Sequence, residues 1–144
     1  MVASVLVGAG IGLSETITND AILAAAPADR AGSASAVSET AYEIGAVLGT
    51  AVLGSVLSAA YRAAVEVPTS VGPTYAAAAR ETLGGAVGIA QRLTGAPAAE
   101  LLGSARAAFT GAVGTTALTG AGVLVLVALT VIAGLRPPTT ERPR

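Results

Sequence analysis

The sequence has no cysteine, histidine or tryptophan, and all eight of its cationic residues are arginine. Without cysteine and histidine, the chain has no disulfide, no thiolate or imidazole metal ligand, and none of the commonest catalytic bases. Charged residues make up 12% of the 144 residues, roughly half the fraction of a soluble domain. The net charge of -1 provides no basic surface for nucleic acid. We therefore expect neither an enzyme nor a nucleic-acid-binding protein, and no cofactor or metal ion.

Apolar residues are abundant: they form 53% of the chain, and the mean hydropathy is +0.71. A chain this short has too much surface to hide such a composition from water, so lipid is its simplest solvent. Three apolar stretches, 2–26, 33–61 and 107–135, each exceed the roughly 20 residues that a membrane helix needs. The sequence predicts an all-α integral membrane protein with three transmembrane helices.

The segment between the second and third stretches, residues 62–106, contains seven of the 17 charged residues. Helical spacing of apolar residues over 75–93 and 98–108, on either side of a turn at 95–97, predicts an amphipathic helical hairpin outside the hydrocarbon core. A fourth span is disfavoured because it would bury charged side chains. The charged residues of the segment are Arg62, Glu66, Arg80, Glu81, Arg92, Glu100 and Arg106.

The arginines near the ends of the spans predict the orientation. The positive-inside rule places the turn at 27–32 and the tail at 137–144 in the cytoplasm, and the hairpin on the extracytoplasmic side. The tail is polar and proline-rich, which predicts disorder. A signal peptide that ends near Ala24–Ala26 is an alternative for the first stretch, but it lacks a basic residue before Arg30.

Glu39 and Glu43 form the main candidate site, because residues four apart lie on one helix face. With a helix that begins near Gly32, Glu43 lies about 16 Å along it, close to the middle of the bilayer. A carboxylate is costly to ionise there, and two neighbours repel each other, so the pair is suited to exchanging a proton for a cation. The alternative is that both acids lie in the first turn of the helix, where the helix dipole favours them without any function.

The first stretch contains two further acids, Glu15 and Asp20, which lie on different helix faces. Asp20 is either a third coupling residue or a structural anchor that pairs with Arg30. Glu15 has no evident partner.

Small residues at a spacing of four predict close packing between membrane helices. Gly8 and Gly12 form such a ladder in the first stretch, and Ala41, Gly45 and Gly49 form one in the second. The glycines of the first ladder do not form a nucleotide-binding loop, because their surroundings are apolar.

The run PADRAGSASAVSETAYEIGAVLGTAVLGSVLSAAYR, which begins at Pro27, resembles the penultimate helix of the fourteen-helix drug:proton antiporters of the major facilitator superfamily. The quaternary-ammonium efflux branch (QacA and SmvA type) is the most similar. The resemblance depends on a proline, a charged pair, Arg30-Ala31-Gly32, Ser38-Glu39-Thr40 and Glu43. It extends over nearly the whole chain, since that branch also has an extracellular helical hairpin between its last two helices.

The resemblance implies helices twelve to fourteen of a multi-pass protein of the bacterial plasma membrane, with part of a cavity for protons and lipophilic cationic drugs. It implies that Glu39, Glu43 and Asp20 couple proton binding to substrate binding, and it gives Glu15 no role. The expected function is therefore that of a C-terminal fragment of a multidrug efflux antiporter. The alternatives are an accessory or structural membrane protein without transport activity and a soluble helical bundle, which the resemblance disfavours.

Overall fold

The computed structural model describes residues 2–134, and all of the secondary structure in that range is helical. The predicted tail at 137–144 and the end of the predicted third span lie outside the described residues. The chain forms two compact units, which divide within the second helix after Thr50. The helices are α1 (Val2–Ala25), a 3-10 turn (Ala28–Arg30), α2 (Ala31–Ala64), α3 (Pro73–Glu81), α4 (Leu83–Ala90) and α5 (Ala96–Gly134).

Two helices within 2–134 are long and apolar enough to cross a membrane: α2 with the turn before it (Ala28–Ala64), and α5. Their most apolar segments are almost wholly exposed, with 6% and 0% of the residues buried. The helix α1 coincides with the first predicted span, but Glu15, Asn19 and Asp20 lower the hydropathy of its second half. Two of the three predicted spans thus have the length and composition of membrane helices, and the first remains a prediction.

The helix α5 differs from the prediction, which placed a hairpin arm at 98–108 and a separate span at 107–135. One continuous helix of 39 residues replaces both, and at 1.5 Å per residue it is about 58 Å long. The helix contains no proline after Pro97, so no residue removes a backbone N–H at the predicted boundary. Residues 113–134, about 33 Å of helix, suffice to cross the roughly 30 Å of a bilayer core.

Residues 61–112, which we call the cap, contain the described buried core. Tyr61 at the end of α2 and Leu101 on α5 are 2% and 0% exposed. Leu101, Ala105, Ala108 and Ala112 are spaced by four, three and four residues, so α5 buries one stripe of its first half in the cap. The small alanines allow α4 to approach this stripe closely. The buried residues are Tyr61, Val65, Val71, Ala79, Ala86, Ile89, Ala90, Leu101, Ala105, Ala108 and Ala112.

The predicted single helix over 75–93 is instead two helices, α3 and α4, which meet at Thr82. Thr82 is extended, with φ -150° and ψ 157°, and its hydroxyl accepts a hydrogen bond from the Gly85 backbone N–H at 3.0 Å. Threonine followed by a glycine pair is a helix-start signal: the hydroxyl satisfies a free N–H of the first turn. This local capping overrides the apolar spacing from which one helix was predicted.

Gly85 lies where α4 passes closest to α3. A Cβ atom at this position would collide with the backbone carbonyl of Ala78. Replacing Gly85 with alanine should therefore destabilise the cap by about 1–3 kcal/mol, because the backbone has to move. The effect is measured as a change in the thermal unfolding of the cap, with protease resistance as the probe of unfolding.

Gly88→Ala is the matched control. Gly88 lies in the same helix as Gly85, but a Cβ atom there meets nothing within 4 Å. Alanine is a better helix former than glycine, so Gly88→Ala should be neutral or stabilise by up to about 1 kcal/mol. Equal effects of the two substitutions would contradict the close approach of α3 and α4.

Candidate functional site

Glu39 and Glu43 lie well inside α2. The helix begins at Ala31 and has no acidic residue in its first turn. At 1.5 Å per residue, Glu39 is about 12 Å and Glu43 about 18 Å from the start of the helix. The two acids therefore do not lie in the first turn of α2, where the helix dipole acts, and their depth in a membrane stays a prediction.

The two carboxylates share one exposed face of α2. They are four residues apart in a continuous helix, which places them about 6 Å apart along its axis. Both side chains are exposed, as is Tyr42 between them. The face is accessible to a proton or to a cation.

The predicted acids of α1 lie elsewhere on exposed surface. Glu15 and Asp20 are both exposed in the second half of the helix. Arg30 does not pair with Asp20: within 2–134 its ion pair is with Asp29, at 3.9 Å between Nε and Oδ2. Both partners are more than three-quarters exposed, so this pair adds little stability. The ion pair with Arg30 that would make Asp20 a structural anchor is therefore not formed.

A groove that the sequence did not predict lies between α1 and the first half of α2. Its volume is about 740 Å³, and it is open to the surface. Two sets of residues line it, one on each side of the turn at Pro27, and the residues within each set are four apart in sequence. The residues are Thr18 and Ile22 on α1 with Ala26 directly after it, Arg30, Ala34, Ser38 and Tyr42 in the second set, and Pro27, Ser33, Val37 and Ala41 between them.

The lining of this groove combines an apolar wall with a few polar groups. The lining includes the apolar Ile22 and Val37 and the hydroxyl-bearing Thr18, Ser38 and Tyr42, and its single cation is Arg30. Such a surface suits a flat apolar molecule that makes a few hydrogen bonds. None of the four predicted acids lines the groove, so the structure does not bring them together with it. The spacing of four on both sides of Pro27 is the signal that could have revealed it.

The small-residue ladders are open in the described structure. A Cβ atom added to Gly8, Gly12, Gly45 or Gly49 meets nothing within 4 Å. The faces predicted for helix packing, with Ala41 on the second, are therefore free of close neighbours at those glycines. Their role in packing stays a prediction.

Two curated proteins are similar to this chain over most of its length. The multidrug efflux pump LfrA of Mycolicibacterium smegmatis is 50% identical over 123 residues, which are 85% of this chain and 24% of that protein. The methyl viologen resistance protein SmvA of Salmonella typhimurium is 37% identical over 109 residues, 76% of this chain and 22% of that protein.

No family model and no solved structure matches the chain. The chain spans about a quarter of the length of the two curated relatives. Over 85% of its length it is similar to part of a multidrug efflux pump.

Proposed function

We propose that this chain forms part of a multidrug efflux transporter that exchanges protons for lipophilic cations. The observation on which the proposal rests is the 50% identity with LfrA over 85% of the chain. Half of the 123 aligned residues are identical, and they make up 85% of this chain. LfrA is named as an efflux pump, which favours a transporter over an enzyme.

The exposed apolar surface of the helices supports a place within a larger helical assembly. Large apolar side chains are exposed along α1, α2 and α5; Leu124, for example, is 71% exposed. Lipid covers part of such a surface, and further helices cover the rest in a transporter built of two halves. The open ladders at Gly8–Gly12 and Gly45–Gly49 are suited to this contact, because small residues let helix backbones approach.

The acidic pair on α2 suits the exchange. An ionised carboxylate within the membrane attracts a cation, and a protonated one releases it. Glu39 and Glu43 lie on one exposed face, so a proton on either residue weakens the hold of the pair on a cation. Asp20 on α1 is the third acid that we propose for this coupling.

The charge of a substrate follows from the same pair. SmvA is named for resistance to methyl viologen, which is a dication. Two neighbouring carboxylates match two positive charges better than one. We therefore include divalent cations among the substrates of the complete transporter.

We place the protein in the bacterial plasma membrane as a multi-pass protein of the fourteen-helix branch. Its three spans then correspond to α1, α2 and the apolar part of α5, with the cap extracytoplasmic. Arg30 in the turn before α2 and Arg136 in the sequence after α5 lie close to span ends, whereas Arg80 and Arg92 of the cap are remote in sequence from any span. The positive-inside rule counts arginines near span ends, so it supports this orientation.

Replacing the matching 123 residues of LfrA with those of this chain should preserve drug tolerance. The host is a strain of Mycolicibacterium smegmatis that lacks LfrA, and the readout is the concentration of a cationic dye that stops growth. We expect the chimera to restore at least half of the gain that intact LfrA provides. The isolated 144-residue chain should provide none, because two rocking halves need more helices.

Two results would oppose the proposal. A chimera that reaches the membrane in normal amounts without raising tolerance would show that this chain does not perform the relative's function, and would favour an accessory role. A gain in tolerance from the isolated chain would instead indicate a small exporter that assembles from copies of itself.

A further inference from the structure

The hydroxyl of Tyr61 joins the end of α2 to the end of α3. Tyr61 lies in the last turn of α2 and is 2% exposed. Its hydroxyl donates a hydrogen bond to the carbonyl oxygen of Ala79 at 2.9 Å. Because α3 ends at Glu81, this carbonyl is one of the last four in its helix and has no partner within it. Tyr61 thus satisfies a buried acceptor that would otherwise remain unpaired.

A second hydrogen bond joins the segment after α2 directly to α5. The backbone N–H of Glu66 donates to Oγ of Ser104 at 2.8 Å. Ser104 lies beside the stripe that α5 buries in the cap, next to Ala105, which is 0% exposed. The chain is therefore attached to α5 as soon as it leaves α2.

The space between these two hydrogen bonds is filled by apolar side chains. The helix α4 packs against both α3 and α5. Tyr61 and Val65 share one apolar core with Leu101 and Ala105. Farther from the cap, α2 and α5 approach where Gly120 lies near Leu53, since a Cβ there would be 3.8 Å from both methyl groups.

We propose that the cap acts as a strap: it holds the C-terminal end of α2 and the first half of α5 at one fixed separation. The hydrogen bond of Tyr61 is the latch of this strap. The two helix ends cannot separate without breaking the bonds of Tyr61 and Ser104 and opening the shared core. The cap ends of α2 and α5, which belong to the same compact unit, therefore move as one body. The strap needs no transport activity, so it can be tested on the 144-residue chain alone.

The separation can be measured directly because the chain has no cysteine of its own. Spin labels on Ala59→Cys in α2 and Ala107→Cys in α5, both exposed positions, report the distance in the full chain. The chain is placed in nanodiscs of phosphatidylcholine and phosphatidylglycerol. We expect a single narrow distance distribution in the parent protein.

Tyr61→Phe keeps the ring and removes the latch bond, and Ser104→Ala removes the second bond. Tyr61→Phe should add a longer, broad component and raise the population of separated helix ends on the order of tenfold, because a buried acceptor loses its partner. Ser104→Ala should add a smaller component, since the bond that it removes is exposed. The double variant should show the largest increase. Tyr75→Phe is the matched control, since Tyr75 is 48% exposed on α3 and should leave the distribution narrow.

The outcomes separate the strap from mere stability of the cap. Circular dichroism of the same samples reports whether α3 and α4 remain folded. A broadened distance while α3 and α4 stay folded supports Tyr61 as the latch, and a distance that broadens only when those helices melt overturns that role. A distance that stays narrow in the double variant overturns the strap itself, including when α3 and α4 are lost, because the helix ends are then held by something else.

Discussion

Export of a dication should fall on the order of tenfold when Glu39 or Glu43 is replaced with glutamine in the LfrA chimera. Glutamine keeps the size and hydrogen bonding of the side chain and removes its charge and its proton exchange. A tenfold loss corresponds to about 1.4 kcal/mol, a modest cost for a missing counter-charge that is only partly screened by water. Because a dication loses more than a monocation, methyl viologen export should fall further than export of a monovalent dye.

The controls are the cap acids Glu66 and Glu100, which are exposed at the surface outside the apolar segments. Water and salt screen such charges, so Glu66→Gln and Glu100→Gln should change export less than twofold. Glu66 contributes its backbone N–H, not its carboxylate, to the bond with Ser104, and glutamine retains that group. Intact export after both substitutions on α2, with loss after those in the cap, would show that the acidic pair is not the coupling site.

Leu124→Arg should prevent much of the membrane insertion of α5. The helix has no charged residue between Ala107 and Gly134, and Leu124 is near the middle of its apolar part. Exchanging leucine for arginine at a helix centre costs about 3 kcal/mol on the insertion scale, so the ratio of inserted to non-inserted chain should fall about a hundredfold. Glycosylation acceptor sites on both sides of α5 in the full chain measure that ratio.

Ala99→Arg is the matched control for the insertion experiment. It places the same charge on the same helix, but at an exposed position in the cap, and should leave insertion unchanged. If Leu124→Arg inserts as well as Ala99→Arg, the apolar part of α5 does not lie in lipid, and a buried position in a soluble assembly would explain its composition instead.

The long helices were predictable because their signal is simple. Apolar runs far longer than a soluble helix needs predict the second span and most of the third, and the turn near Pro27 predicts the start of α2. The error in α5 has a physical reason: charge marks where a helix leaves lipid, not where it ends. The predicted third span begins directly after Arg106, but a helix continues through a charged residue when nothing breaks its hydrogen bonds.

The cap was less predictable because its contacts join residues that are distant in sequence. The hydrogen bond from Gly85 to Thr82 at the start of α4 is local and could have been found from the threonine and the glycine pair. The bond of Tyr61 with Ala79 spans 18 residues, and that of Glu66 with Ser104 spans 38. Neither has a pattern in the sequence, since any tyrosine or serine could make such a bond. Only the packing of α4 against α3 and α5 brings these partners together.

The acidic pair was predicted from spacing, whereas the groove beside it was not. Attention to charge favoured Glu39 and Glu43 over their neighbours Ser38 and Tyr42, which line the groove. The two sets occupy adjacent faces of α2, so a cation held by the acids and a flat apolar body held in the groove are geometrically compatible. A charged residue within a membrane segment is a strong signal of function. The apolar residues that line a groove do not stand out from the rest of an apolar helix.

Flux through purified chimera tests the proposed exchange most directly. The LfrA chimera, with this chain in place of the matching 123 residues, is reconstituted in lipid vesicles with a cationic dye and an imposed pH difference. Dye movement should run against the proton flow and stop when an ionophore removes the gradient, and Glu39→Gln with Glu43→Gln together should abolish it. Dye movement that ignores the gradient, or that persists at the full rate without either carboxylate, would contradict proton exchange at this site.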